Sequence, residues 1–174
     1  MHYLLITDAP VTYISIYDDR QQVSASIFAL RPESRLPIHD HPGMYGFIKC
    51  IHGSISISSF TKSSDYHEKP EHEHTDSGTH IPHIVRAIKE PRHLLHESTG
   101  QTVMLEPVKG NVHSIQAVDG PAAFLDFLLP PYCLPSRPCH YYDFEKELDS
   151  GSVLLREVDC PIWYWCDSVP YNPD

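Results

Sequence analysis

Prolines and glycines interrupt this chain so often that little room is left for long helices. The 174 residues include sixteen prolines and eight glycines. Proline breaks a helix because it lacks an amide donor and its ring clashes with the preceding turn. Few of the windows between these residues could hold three helical turns. The intervening pieces must therefore find their backbone hydrogen bonds in strands, turns and loops.

Most of these pieces alternate apolar and polar side chains. In residues 54–58 the isoleucines would face one side and the serines the other, which is typical of a half-buried strand. Alternation or a short buried run predicts further strands at 12–17, 23–30, 83–89, 93–97, 111–118, 122–129 and 152–158. We expect these strands to be separated by Gly53, Gly100, Gly110 and Gly120. Many short strands predict an all-β antiparallel sandwich or barrel with few short helices.

Length and charge restrict the classes of function. Residues 1–174 are expected to form one domain, long enough to bury a real core. A formal net charge of −10 argues against binding nucleic acid, because nothing would neutralise its phosphates. No run reaches the roughly 18 apolar residues of a membrane span, and the amino terminus lacks the basic region of a signal peptide. We expect a soluble protein of the cytoplasm, or of the cytoplasm and nucleus.

Cysteines and a polar segment offer weaker signals. Five cysteines without a CxxC pair make a poor disulfide framework or zinc finger, so reduced thiols are expected. The segment 61–80 is almost free of apolar residues and is predicted to be a solvated loop between strands. Its histidines are therefore left out of the predicted site; they are His67, His72, His74 and His80.

Two histidines separated by a single residue give the first signal of chemistry. On a strand over residues 37–41, His39 and His41 would project from the same face as preplaced metal ligands. Such a pair alone is weak evidence, since many are surface accidents. Here it stands between Pro37 and a Pro-Gly turn, and an apolar strand with a glycine at its end follows. This context favours a metal site.

The spacing resembles the first cupin motif, in which HxH is followed by a glutamate and then by a glycine. Gly53 stands at the glycine position, but Gly46 replaces the glutamate. The second cupin motif, a glycine two residues before a lone histidine, is approximated by residues 110–113 and ends in His113; Ala117 replaces the asparagine of that motif. A small cupin barrel would bring three imidazoles together without a carboxylate.

Three neutral imidazoles suit iron, copper, nickel or zinc. Without a carboxylate, the metal keeps its full positive charge and several open positions. Such a site favours a substrate that brings its own anion, and a thiolate is the softest common choice. The alternative is that His39, His41 and His113 are polar residues that cap strand ends.

The stretch IHDHPGMYGFIKCIHGSISI resembles the cysteamine (2-aminoethanethiol) dioxygenases and the related plant cysteine oxidases. Residues 9–17, 112–132 and 139–144 are similar to the same family. The resemblance implies a cupin-type double-stranded β-helix, or jelly-roll, and an enzyme that inserts both atoms of O2 into a thiol to give a sulfinic acid. It also implies Fe(II) held by His39, His41 and His113.

The same resemblance implies catalytic roles for four further residues. Asp126 would orient a ligand or a substrate amine, or would instead be a structural hydrogen-bonding residue, since a bare carboxylate is costly in an apolar strand. Tyr132 and Tyr141 are candidates for hydrogen bonds to the oxygen at the iron. Cys139 and Tyr141 would share a strand face, as in family members that form a thioether there, although an uncrosslinked pair is equally compatible.

The substrate is left open between two classes. With O2 as cosubstrate, a small aminothiol would make this an enzyme producing hypotaurine. A protein or peptide with an N-terminal cysteine would make it an oxygen sensor. The acidic net charge would attract basic peptide termini, but would equally serve solubility. We expect a monomer; the alternative function is a non-catalytic or zinc-dependent cupin that binds a small molecule.

Overall fold

The structure, a computed structural model, describes residues 8–67, 83–148 and 151–172. A short 3₁₀ turn occupies Glu97–Thr99. Within the described ranges no helix has the length and hydrophobicity that crossing a bilayer requires. Eleven strands are described there: β1 Val11–Asp18, β2 Ser24–Leu30, β3 Arg35–Asp40, β4 Tyr45–His67, β5 Ile84–Lys89, β6 His93–His96, β7 Thr102–Leu105, β8 Val112–Leu129, β9 Tyr141–Glu147, β10 Ser152–Val158 and β11 Cys166–Pro170.

The two long strands β4 and β8 pair with each other and close a barrel. From β8 the hydrogen bonds pass through β3, β9, β10 and β5 to β4, and β4 returns to β8. The other half of β8 pairs with β2, and the sheet continues from β2 through β1 to β11. Strand β4 also pairs with β6 and β7. The prediction of an all-β barrel with little helix is confirmed.

Strands β4 and β8 each continue through a glycine at which the sequence predicted a break between two strands. Gly53 has φ +66°, and a Cβ there would overlap the carbonyl oxygen of Pro121. The register between the strands shifts on both sides of His52, so the glycine forms an irregularity within one strand. Gly120 likewise lies inside β8. The prediction that Gly53 and Gly120 separate strands was therefore wrong.

Apolar side chains form two separate cores among the described residues. The larger core includes Leu30, Ile48 and Phe124, all nearly inaccessible. The smaller one lies among β4, β5, β8, β9 and β10 and includes Val112 and Tyr142. Burial of these side chains stabilises the barrel, because each apolar side chain removed from water contributes about 1.5–3 kcal/mol.

Sequence patterns located most strands but missed some. The predicted strands at 12–17, 23–30, 83–89, 93–97 and 152–158 are confirmed within a residue or two. Strands β7 and β11 were not predicted. Residues 61–67 continue β4, so the predicted loop begins later than expected. The rest of that loop, with His72, His74 and His80, lies outside the described residues.

Candidate metal centre

The structure brings His39, His41 and His113 together on one inner face of the barrel. His39 lies on β3 directly opposite His113 on β8, and His41 follows the end of β3. The ring centroids are 4.6–4.8 Å apart, and the candidate ligand atoms all lie within 4.8 Å of one another. All three side chains are buried. The predicted convergence of three imidazoles without a carboxylate is therefore found.

Hydrogen bonds fix the orientation of two of these rings. Nδ1 of His39 donates to the carbonyl oxygen of Pro37 at 2.9 Å. The Tyr132 hydroxyl donates its proton to the carbonyl oxygen of Asp40 at 2.6 Å, so it accepts from Nδ1 of His41 at 2.9 Å. Both histidines therefore carry their proton on Nδ1, which leaves the Nε2 lone pairs free. This is the arrangement of a histidine oriented for metal binding.

The third imidazole, that of His113, places its Nε2 close to that of His41. Nδ1 of His113 is buried and has no hydrogen-bond partner among the described residues, and its Nε2 lies 3.3 Å from Nε2 of His41. Metal–nitrogen bonds of about 2.1 Å place neighbouring ligand nitrogens roughly 3.0–3.4 Å apart. The spacing of these two nitrogens thus fits a shared transition-metal ion.

Burial keeps the three imidazoles neutral. It lowers the pKa of His39, although the Pro37 carbonyl opposes the effect. Burial, together with the neighbouring imidazoles, lowers the pKa of His41 and His113 well below the ordinary value. Neutral imidazoles are the form that binds metal, so at neutral pH the site does not have to lose protons first.

Gly46, which stands at the glutamate position of the cupin motif, is closely packed. A Cβ at this position would meet the side chain of Leu105 at 3.0–3.4 Å, and Leu105 belongs to the larger core. Any larger side chain at this position would therefore require a small shift of Leu105.

The four other residues predicted for the site line the same cavity as the histidines. This cavity has a volume of about 360 Å³. Its wall includes Asp126, Tyr132, Cys139 and Tyr141, and no lysine or arginine among the described residues lines it. Sequence reasoning missed a polar stripe of Asp18, Ser24 and Ser26. The alternation of Ser24, Ser26 and Phe28 along β2 was the available signal.

Asp126 is a buried carboxyl group in the cavity wall. Its exposed fraction is 6%, and it lies opposite Ser26 of β2. The described part of the chain provides no hydrogen bond to its carboxyl group. Burial raises the pKa of Asp126 to about 7. A cation bound in the cavity would lower the pKa of this carboxyl group and favour its ionised form.

Cys139 and Tyr141 meet in the cavity, although Cys139 precedes β9 and only Tyr141 lies on it. The Cys139 thiol contacts the hydroxyl groups of Tyr132 and Tyr141. Burial raises the pKa of this thiol to about 11, so it is protonated at neutral pH. The thioether between Cys139 and Tyr141 stays a prediction.

We expect the substitution Tyr132→Phe to weaken metal binding by about 10- to 100-fold, the usual effect of removing a partner that orients a ligand. The phenyl ring keeps the packing but leaves Nδ1 of His41 without its acceptor. Titration calorimetry of the metal-free protein with Fe(II) or Co(II) under anaerobic conditions measures the change. Tyr45→Phe, at a half-exposed tyrosine, is the matched control. Equal affinities of both variants would contradict the orienting role.

Comparison with known proteins yields a consistent set of relatives. A family model described as PCO_ADO matches residues 5–174. The chain is 34% identical to the 2-aminoethanethiol dioxygenase of Mus musculus, over 93% of this chain and 70% of that protein. It is 31% identical to the Homo sapiens protein of the same name, over 93% and 67%. Plant cysteine oxidase 1 of Arabidopsis thaliana is 29% identical, over 95% of this chain and 54% of that protein.

Solved structures with related folds are more distant. A cupin superfamily protein of Desulfitobacterium hafniense has a TM-score of 0.47 at 11% identity, covering 75% of this chain and 88% of that chain. The cupin domain of Schizosaccharomyces pombe Cnp3 has a TM-score of 0.49 at 6% identity, covering 74% and 72%.

Proposed function

Because this chain belongs to the PCO_ADO family of thiol dioxygenases, we propose that it oxidises the thiol of an aminothiol to a sulfinic acid with O2 and Fe(II). Both oxygen atoms end on sulfur, so no other reductant is needed. The observation that carries the proposal is the centre of three neutral histidines without an acid, set in a cavity that also holds the unpaired Asp126. His39, His41 and His113 would hold the iron.

The donor set supports iron in combination with the family. Neutral imidazoles bind first-row transition metals, and three of them leave coordination positions open. Fe(II) bound there would supply the redox chemistry that activates O2 and would lower the pKa of the substrate thiol. The chain itself orients the ligands through Pro37 and Tyr132 and surrounds the site with a wall of mixed apolar and polar side chains.

The charges in the cavity favour a substrate with an amine and no carboxylate. Asp126 can accept a hydrogen bond from an ammonium group, and the entry of that cation would favour its ionised form. Free cysteine would bring a carboxylate that no lysine or arginine in the described cavity wall could pair with. Cysteamine and the N-terminal cysteine of a peptide both lack that carboxylate.

The size of the cavity favours the larger of these two substrates. Cysteamine has four non-hydrogen atoms and needs roughly 100 Å³, if each takes about the volume of a water molecule. The cavity offers about 360 Å³, enough for an N-terminal cysteine and part of the residue after it. We therefore propose protein N-terminal cysteine as the main substrate. A monomer in the cytoplasm or nucleus that oxidises it at a rate set by O2 would act as an oxygen sensor.

Oxygen consumption by the iron-loaded protein tests this function. We expect turnover with cysteamine and with a Cys-initiated peptide, a higher kcat/KM for the peptide, and turnover with free cysteine at least about 10-fold lower because its carboxylate is unpaired. Mass spectrometry should show two added oxygen atoms on the product. An oxygen electrode and metal analysis on the same preparation provide the measurements.

The rival function gives a distinct outcome. A preparation that holds zinc, consumes no O2 with either thiol after reloading with Fe(II), and still binds a small molecule would identify a non-catalytic or zinc-dependent barrel. That result would overturn the proposed function.

A further inference from the structure

We propose that the ion pair between the buried Asp40 and the partly exposed Lys62 positions Cys139 and Tyr141 in the cavity wall. Asp40 stands between two of the metal-binding histidines, but its side chain leaves the opposite face of the strand. The pair therefore touches neither substrate nor metal and acts through the β9 segment. The inference rests on the proposed function only where turnover is the measured quantity.

The Asp40 carboxylate is surrounded by donors. Its side chain is 2% exposed, and Oδ2 accepts from Nζ of Lys62 at 2.7 Å and from the Tyr142 hydroxyl at 2.9 Å. The same Lys62 ammonium donates to the Tyr142 hydroxyl at 2.7 Å. Asp40, Lys62 and Tyr142 thus form a closed triangle of hydrogen bonds that joins β3, β4 and β9.

The other oxygen of the carboxylate holds the residue between Cys139 and Tyr141. Oδ1 of Asp40 accepts from the backbone amide of His140 at 2.9 Å and from its Nδ1 at 3.0 Å. The backbone amide of Asp40 donates in return to the His140 carbonyl oxygen at 3.1 Å. Three hydrogen bonds therefore join these two residues.

The attachment of His140 and Tyr142 to Asp40 orients their neighbours Cys139 and Tyr141. His140 and Tyr142 bind the Asp40 carboxylate, whereas Cys139 and Tyr141 line the cavity. Holding the first two residues therefore constrains where the other two can point. Strand pairing does not reach the start of this segment. The described β3–β9 ladder contains only the pairs Ile38–Tyr142 and His39–Tyr141, and the β9–β10 ladder begins at Tyr141, so neither ladder includes Cys139 or His140.

The chemistry of the pair fits positioning better than stabilisation. Burying charges costs several kcal/mol, and apolar side chains of similar volume often give equal or greater stability. Apolar packing, however, has no direction, whereas the carboxylate fixes two neighbouring elements through oriented hydrogen bonds. Burial alone would raise the pKa of Asp40, but Lys62 and His140 lower it below the ordinary value, so the group is ionised.

The test combines thiol labelling with a double-mutant cycle. Asp40→Asn and Lys62→Met are made alone and together with Tyr141→Phe, and Glu145→Gln is the control. Glu145 lies on the same strand β9 and forms a surface ion pair with Arg156 at 2.9 Å. The first measurement is the alkylation rate of Cys139 in protein prepared without iron. The exposed Cys133 serves as the internal reference.

We expect Asp40→Asn and Lys62→Met to accelerate alkylation of Cys139 by about 10-fold relative to Cys133, and Glu145→Gln to leave the ratio unchanged. In iron-loaded protein, each substitution should lower kcat by about 10-fold or more with a smaller effect on KM. In the Tyr141→Phe background each substitution should lower kcat further by no more than about twofold, because the Tyr141 hydroxyl that the ion pair positions is already absent.

Unchanged labelling of Cys139 in both variants would overturn the inference, as would fully additive losses of kcat in the Tyr141→Phe background. Thermal unfolding separates positioning from loss of fold, and Lys62→Met, at the more exposed partner, keeps the test open if Asp40→Asn does not fold. Absence of turnover in the wild type would instead refute the proposed function, and the labelling result would still decide the positioning role.

Discussion

Replacing His113 with alanine is expected to abolish both metal binding and thiol turnover. Only His39 and His41 would remain, and two imidazoles without an acid cannot hold iron against water. Since loss of an orienting partner alone costs about 10- to 100-fold in affinity, loss of a ligand should exceed about 100-fold. Metal analysis after dialysis and an oxygen electrode measure the two effects. His93→Ala, at an exposed histidine of β6, is the control.

The same substitution separates a metal ligand from a polar cap of a strand. Nδ1 of His113 has no hydrogen-bond partner, so removing the ring breaks no described hydrogen bond from that atom. We expect the metal-free variant to lose no more than about 2 kcal/mol of unfolding free energy, from the cavity left behind. Iron retained with normal turnover, or a metal-free variant that unfolds, would contradict the ligand assignment.

The sequence predicted the metal centre because its signal is local. His39 and His41 are two residues apart, and strand geometry alone places such residues on one face. Adding His113 required the resemblance to a motif, since 72 residues separate it from His41 and nothing local joins them. The structure shows the reason for their approach: β3 and β8 pair so that His39 and His113 are directly opposite.

The parts that sequence reasoning missed depend on contacts between distant segments. Asp40 lies between His39 and His41 in the histidine motif. Its partners come from two remote stretches of the chain; they are Lys62, His140 and Tyr142. Strand β11 includes Asp167 and Pro170 and has no clear alternation. It forms because β1 offers a parallel partner, which no periodicity reveals.

In β4 and β8 the error was to predict strand ends at glycines where the strands in fact continue. A glycine is usually read as the end of a strand, yet Gly53 permits a close approach to Pro121 within a continuous strand. The consequence is functional, because the uninterrupted β8 carries both His113 and Asp126. One strand thus supplies a metal ligand and the candidate amine-binding carboxyl group.

Asp126→Asn is expected to make the metal-free protein more stable at neutral pH and to change it little at pH 4. In the unfolded chain this carboxyl ionises near 3.8, but in the folded protein its pKa is about 7 because it is buried. Between these values the folded state keeps a proton that the unfolded chain releases. The contribution of Asp126 to the unfolding free energy of the wild type therefore falls as pH rises from about 4 to about 7, by roughly 4 kcal/mol. The asparagine side chain of the variant does not ionise, so its stability lacks this dependence on pH.

The measurement is urea unfolding of both proteins at several pH values, without metal and without thiol. The imidazoles that titrate in the same range are common to both proteins, so the difference between the two curves isolates Asp126. Asp143→Asn, at an exposed position of β9, should follow the wild-type curve. Cysteamine should reduce the gain from Asp126→Asn at pH 7, because its ammonium group would pair with the wild-type carboxylate. A gain independent of pH would mean that Asp126 is already paired in the folded protein and is not free to receive a substrate amine.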